Sequence, residues 1–300
     1  VKAALAGTGE AFKKGTLLDG TPPQNARAQS LDNRFDLPLP RQYDLPFSNV
    51  QLIPGRLDEP LHWRKPRTVF VCPQSDLFHE QVSDEFISWV FAAMSMAPGH
   101  RFLLLTKRAE RMHQYLTEMS TNPDAYVWAW AHETSNVFLD GAPAPSPTEV
   151  WPLPNVYLGV SVENQHWADQ RIPLLLDTPG KHWVSIEPML GPVDLTKIAD
   201  TDESWIDALG GKRYSTAQHV AIRPKDAPRL SWLVVGGESG PGYRPMELAW
   251  AKDIADQCTA ARVPFYFKQI AANRPGQPSG IPMLDIAKDM PAALGVSGDG

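Results

Sequence analysis

The chain has 300 residues, 43% of them hydrophobic and 21% charged, which is enough apolar material for a sizeable core and excludes disorder throughout. A net charge of -6 excludes a protein that coats nucleic acid non-specifically, because such binding neutralises many phosphates with Lys and Arg. No apolar run reaches the ~18 to 20 residues of a membrane-spanning helix and no secretory leader is legible, so a cytosolic protein is expected.

Residues 1–47 show little periodic apolar pattern beyond a helix over Val1 to Lys14, and they contain the breaker run Gly20-Thr21-Pro22-Pro23. They read as a loosely attached leader. Residues 48–300 read as a single (β/α) domain with insertions near 120–152 and 200–228. The β-branched and aromatic run Thr68 to Cys72 predicts a strand, Val82 to Met96 a helix and Arg101 to Leu105 a second strand. The alternation continues with a helix at Ala109 to Met119, a strand at Val156 to Val160, a helix at Gln165 to Leu176 and a strand at His182 to Ile186. Asp140 to Pro152 and the polar stretch Asp200 to Pro228 read as surface insertions. A strand at Trp232 to Val235, a helix at Leu248 to Arg262 and a strand at Pro264 to Phe267 complete the pattern. Short buried strands separated by helices favour parallel neighbours, which need crossover connections. A partial or complete parallel (β/α) barrel is expected, with an open doubly wound sheet as the second choice.

Each predicted strand runs at once into polar residues. These are Ser75-Asp76, Thr106-Lys107-Arg108, Ser161 with Glu163 and Asn164, Ser185 with Glu187, Gly236-Gly237-Glu238, and Lys268-Gln269. In parallel α/β folds such ends lie on one side, where ligands bind. Helix capping is the plainer explanation for Asp76 and Asn164. The pairs Ser161/Glu163 and Ser185/Glu187 are two residues apart, so each pair points to one side of its strand. The Gly236 to Gly242 loop can offer backbone N–H groups to a carboxylate or phosphate. Lys107, Arg108 and Arg111, with Arg64, Lys65 and Arg67, form either a phosphate-facing patch or ordinary solvated charge. His79 suits a general base but more often such a residue is structural. The aromatic stretch Tyr126 to His132 suits packing or base stacking. Cys72 and Cys258 are far apart and belong to no close Cys or His pair, so neither a disulfide framework nor a metal site built from this chain alone is expected.

Six of these segments, Ser75-Asp76-Leu77-Phe78-His79, Leu105-Thr106-Lys107-Arg108, Gly159-Val160-Ser161-Val162-Glu163-Asn164, Glu187-Pro188-Met189-Leu190-Gly191-Pro192-Val193-Asp194, Val235-Gly236-Gly237-Glu238-Ser239-Gly240-Pro241 and Phe265-Tyr266-Phe267-Lys268-Gln269, occur in an order and spacing that resembles a phage-associated family. That family is named after mycobacteriophage gene products thirty-seven and sixty-eight. The resemblance spans about residue 48 to the end. It implies a radical S-adenosylmethionine-like barrel in a phage-infected or prophage-carrying host, acting on a nucleotide or nucleic acid. Members usually begin with a Cys-x-x-x-Ser-x-Gly-Cys-x-x-Cys-Tyr segment, which looks like the ligand set of a [4Fe-4S] cluster. The corresponding segment would lie before Val1. In the wider superfamily a Gly-Gly-Glu element follows the second strand, whereas Gly236-Gly237-Glu238 follows a late one. The resemblance therefore carries over a general ligand-site role, S-adenosylmethionine being the implied cofactor, for Asp76, Ser161, Glu163, Glu187, Gly237, Glu238 and Lys268, and no catalytic residue.

Three functions compete at this stage. The first is a radical S-adenosylmethionine enzyme or a part of one. The second is a non-catalytic barrel that binds a nucleotide, nucleic acid or protein. A hydrolase using Asp76, His79 and Glu163 is the third, although its residues lack a recognised nucleophile and base spacing.

Overall fold

The computed structural model describes residues 49–121, 151–215 and 228–291. The leader over residues 1–47, most of the 120–152 insertion with its aromatic stretch, residues 216–227 and residues 292–300 lie outside the described residues. Among those described, two compact units are distinguished, one comprising 49–67, 77–100, 118–121 and 151–155, the other 68–76, 101–117, 156–215 and 228–291. No described helix is long and apolar enough to cross a membrane.

The first unit contains two 3-10 turns, Pro54–Arg56 and Glu59–His62, and helix α1, Asp84–Met96. Helix α1 starts two residues later than the apolar pattern predicts because extended Ser83 accepts the Phe86 N–H, and Asp84 and Glu85 then meet the positive end of the helix dipole. Asn155 donates to the Met94 and Ala97 carbonyls at 2.9 and 3.3 Å, satisfying the other end of α1. His79 belongs to this unit, where its Nδ1 accepts the Gln81 N–H.

The second unit carries, in chain order, strands β1 (Thr68–Phe70), β2 (Arg101–Thr106), β3 (Val156–Ser161), β4 (Lys181–Ile186), β5 (Ile198–Thr201), β6 (Ser204–Asp207), β7 (Lys212–Ser215), β8 (Leu230–Val235) and β9 (Phe265–Phe267). Its helices are α2 (Ala109–Thr121, of which 109–117 belong to this unit), α3 (Gln165–Asp177), α4 (Leu248–Ala261) and the single turn α5 (Pro282–Ile286). Six strands form one sheet in the order β1-β2-β3-β4-β8-β9, and every pairing in it is parallel. Since β1 and β9 do not pair, the barrel is partial and not complete. Strand β1 stops short of the predicted Cys72 because that residue takes a φ of 55°, outside the extended region.

The ladder sorts side chains by face. Leu105, Gly159, Trp183 and Trp232 are register partners on four neighbouring strands, and Ser161, Ser185, Val234 and Tyr266 form the next such row. Partners across a parallel sheet emerge on the same side, and so do residues two apart along a strand. One face therefore rises from a row rich in tryptophan to a row of buried serine hydroxyls. The opposite face carries Leu104, Leu158, Val160, Val184 and Leu233, with Phe102, Phe265 and Phe267, all buried.

Gly159 is the gap that lets the tryptophan row form. The Trp183 indole crosses over β3, donates its Nε1–H to the Leu104 carbonyl of β2 at 3.1 Å and stacks on Trp232 with ring centroids 5.2 Å apart. A Cβ at position 159 would stand 2.5 Å from Trp183 Nε1 and 2.9 Å from the Leu104 oxygen. The outer edge of β9 is covered by the segment after α5. Phe267 donates to the Ala287 carbonyl at 2.8 Å, Asp289 donates to the Phe265 carbonyl at 3.1 Å, and Trp232 Nε1 donates to the Asp289 carbonyl.

The polar stretch predicted to be an insertion builds a three-stranded antiparallel sheet, β5-β6-β7, where no strand was expected. Four-residue strands of mixed polarity leave no measurable period. The hairpin signal was Gly210-Gly211, where Gly211 has a φ of 67° and Asp207 accepts the Gly210 N–H at 2.7 Å. Trp205 and Tyr214 face each other across it with rings 4.0 Å apart.

Replacing Gly159 by Ala is expected to overpack the row and cost about 1–3 kcal/mol, with a loss of near-ultraviolet circular dichroism as the two indoles separate. Urea unfolding measures the first and the spectrum the second; an unchanged spectrum counts against the gap. His182 is buried, holds the Thr178 carbonyl at 2.7 Å and is pushed down to about 4, chiefly by desolvation. Its folded form refuses a proton that the unfolded chain accepts near pH 6.5, so stability is full above about pH 6.5 and declines as pH falls towards about 4. The loss approaches about 3 kcal/mol, and a His182→Gln variant should show a shallower decline over that window in thermal melts.

Candidate functional site

Because the six strands run parallel, their carboxyl ends lie along one edge of the sheet. Continuing the alternation of the serine row by two residues leads to Glu163 after β3, Glu187 after β4, Gly236 after β8 and Lys268 after β9, and to Lys107 after Leu105 of β2. Ion pairs agree with that projection. Lys107 Nζ lies 2.5 Å from Glu163 Oε1, and Lys268 Nζ lies 2.9 Å from Glu187 Oε2.

Glu163 has two partners of different character. Its other oxygen accepts from Arg171 of α3 at 3.0 Å, and the two side chains are each only 10% exposed. Arg171 also donates to the Ser161 carbonyl at 2.8 Å and lies over the Trp167 ring at 4.1 Å. The Lys107 side chain is 52% exposed. Ser161 and Ser185, register partners and both buried, stand one step further into the sheet.

Glu187 reaches Lys268 across the intervening strand β8, and a second glycine makes this geometry available. A Cβ at Gly236 would stand 2.8 Å from Glu187 Oε2 and 3.3 Å from Lys268 Cβ. The remaining Glu187 oxygen accepts the Ser185 hydroxyl at 3.2 Å. Gly237 is pressed against the backbone of Ile270 and Ala271, with its N–H on the Gln269 carbonyl at 2.9 Å, so its role is close packing of the β8 and β9 loops. Glu238 turns to Arg244, which donates at 2.8 and 3.0 Å and holds the carboxylate down to about 2.

Asp76 serves the loop architecture. It accepts the Thr106 hydroxyl at 2.8 and 2.9 Å, the Lys107 N–H at 3.2 Å and an Arg108 nitrogen at 2.9 Å. This latch ties the loop after β1 to the loop after β2. Asn164 caps α3 by accepting the Trp167 N–H, as the plainer reading held.

Direct contacts thus gather the predicted residues into three groups: Asp76 with the β2 loop, Ser161 and Glu163 with Lys107 and Arg171, and Ser185 and Glu187 with Lys268. Gly237 and Glu238, in the loop after β8, contact the β9 loop and Arg244 and none of these three groups directly. Sequence reasoning missed Arg171 as the buried counter-charge, since it sits inside α3 eight residues beyond Glu163 with no local signal. It also missed Thr106 and Arg244 as partners. Of the expected basic patch, Arg108 is engaged by Asp76, while Arg67 lies over Trp63 in the first unit.

The arrangement can present carboxylates, ammonium groups and hydroxyls within one edge, which suits a small molecule carrying both charge signs. Among the described residues no group of three or more His, Cys, Asp and Glu is placed to hold a metal ion. Cys72 and Cys258 are free, and burial raises both thiols, Cys258 up to about 12.

Removing Arg171 leaves the buried oxygen of Glu163 without its counter-charge, so Arg171→Met should cost about 3–5 kcal/mol, whereas Lys107→Met should cost no more than ~1 kcal/mol. Urea unfolding midpoints for the two variants check the ranking, and equal losses would refute the buried and exposed assignment.

A family model described as a protein of unknown function, DUF5131, matches residues 22–290. No curated protein and no solved structure matches the chain.

Proposed function

Starting from the fact that the chain belongs to the DUF5131 family, we propose that it binds a zwitterionic nucleoside of the S-adenosylmethionine type at the carboxyl edge of its partial barrel. The observation that carries this reading is the row Lys107, Glu163, Glu187 and Lys268, which sets two carboxylates and two half-exposed ammonium groups beside buried hydroxyls on one sheet face. An amino-acid moiety carries one ammonium and one carboxylate, and each finds an opposite charge there. The six motif segments that resemble the mycobacteriophage-named family lend further support to S-adenosylmethionine as the ligand, to a radical-enzyme ancestry, and to a nucleotide or nucleic acid as substrate in the cytoplasm of a phage-bearing host.

In radical enzymes of that kind a [4Fe-4S] cluster supplies the electron that cleaves S-adenosylmethionine. The described residues do not fit such a cluster, because they contain two distant cysteines with raised thiols and no grouped ligands. What the chain's own residues supply is binding and orientation: Glu163 and Glu187 accept from ligand donors, Lys268 meets a ligand acceptor, Lys107 pairs with Glu163, and Arg171 holds Glu163 in place.

The half-exposed lysines favour a second reading, a non-catalytic barrel that binds a nucleotide, nucleic acid or protein partner through anionic groups. Calorimetric titration of the full chain separates the two. S-adenosylmethionine should bind at one site, and Glu187→Gln should weaken it about tenfold or more, in line with ~1.5–3 kcal/mol for a hydrogen bond to a charged group. Binding of ATP with no binding of S-adenosylmethionine would transfer support to the second reading.

A further inference from the structure

We infer that the Lys107 ammonium is an internal stand-in for the ammonium group of the ligand, occupying Glu163 until the ligand displaces it. The inference rests on the zwitterion reading above and identifies the carboxylate that does the selecting.

Glu163 has one fixed and one exchangeable partner. Arg171 is wedged between Trp167 and the Ser161 carbonyl, with its guanidinium almost wholly out of solvent. Pulling it away would strand a charge in a dry site. Lys107 is held through its backbone, by the N–H that Asp76 accepts at 3.2 Å, while its ammonium sits on a flexible four-carbon stem with half its side chain in water. Releasing that ammonium returns it to solvent at little cost, because half-exposed pairs contribute weakly. A ligand's primary ammonium has the same charge and the same three donors, so exchange leaves Glu163 fully compensated. The exchange also exposes the difference between carboxylates at this edge. Glu238 is already held by a two-pronged arginine, a partner that a single ammonium replaces poorly.

The experiment uses calorimetry on the full chain with two probes, S-adenosylhomocysteine, which bears the amino-acid ammonium, and 5'-methylthioadenosine, which lacks it. Lys107→Ala removes the competitor and should bind S-adenosylhomocysteine about two- to fivefold more tightly, with 5'-methylthioadenosine unchanged and Lys107→Arg close to the wild type. Weaker or unchanged binding of S-adenosylhomocysteine by Lys107→Ala overturns the inference alone, as does an equal gain for both probes. Failure of both probes to bind the wild-type chain removes the parent reading and the inference with it.

Discussion

The register of the parallel sheet is the constraint on which the rest depends. A one-residue slip in any strand would send its side chains to the opposite face, so the tryptophan row, the serine row and the charged edge stand or fall together. Two glycines allow that register to carry large groups. Gly159 gives Trp183 a path over β3 to the Leu104 carbonyl, and Gly236 gives Glu187 a path over β8 to Lys268. Both crossings link strands that are not neighbours. The same device that packs the middle of the sheet also ties its carboxyl edge.

Charge at that edge is graded by depth. Arg171 and Glu163 form a pair shielded from water, while Lys107 and Lys268 hold the outward sides of their carboxylates from half-exposed positions. Low dielectric makes the inner pair hard to break and solvent makes the outer pairs easy to exchange. A site built this way holds its carboxylates in place without committing every oxygen permanently. Asp76 lies outside this scheme, since its contacts with Thr106, Lys107 and Arg108 brace the loop that carries Lys107.

The main sheet was legible because its strands are short apolar runs separated by helical spacing, and β2, β3, β4 and β8 lie within two residues of their predicted limits. The small antiparallel sheet was not legible, because its strands alternate weakly and are stabilised by one aromatic pair that only the hairpin brings together. At the site, period two correctly coupled Ser185 with Glu187, whose side chains are hydrogen-bonded. It could not say that Ser161 faces Ser185, since register between strands distant in sequence is a tertiary property. Partners were harder still. Arg171 acts back across a helical turn and Arg244 across a loop, and neither has a spacing that distinguishes it from solvated charge. Asp76 stood out by its place after β1, and its contacts with Thr106, Lys107 and Arg108 are likewise tertiary.

Residues 287 to 289 occupy the outer side of β9, so the sheet finishes in an irregular segment of the same chain and not in a bare strand. A bare strand recruits other polypeptides through its unpaired amides and carbonyls. Proteolytic trimming at this end would therefore do more than shorten a tail. It would uncover an adhesive margin and favour aggregation.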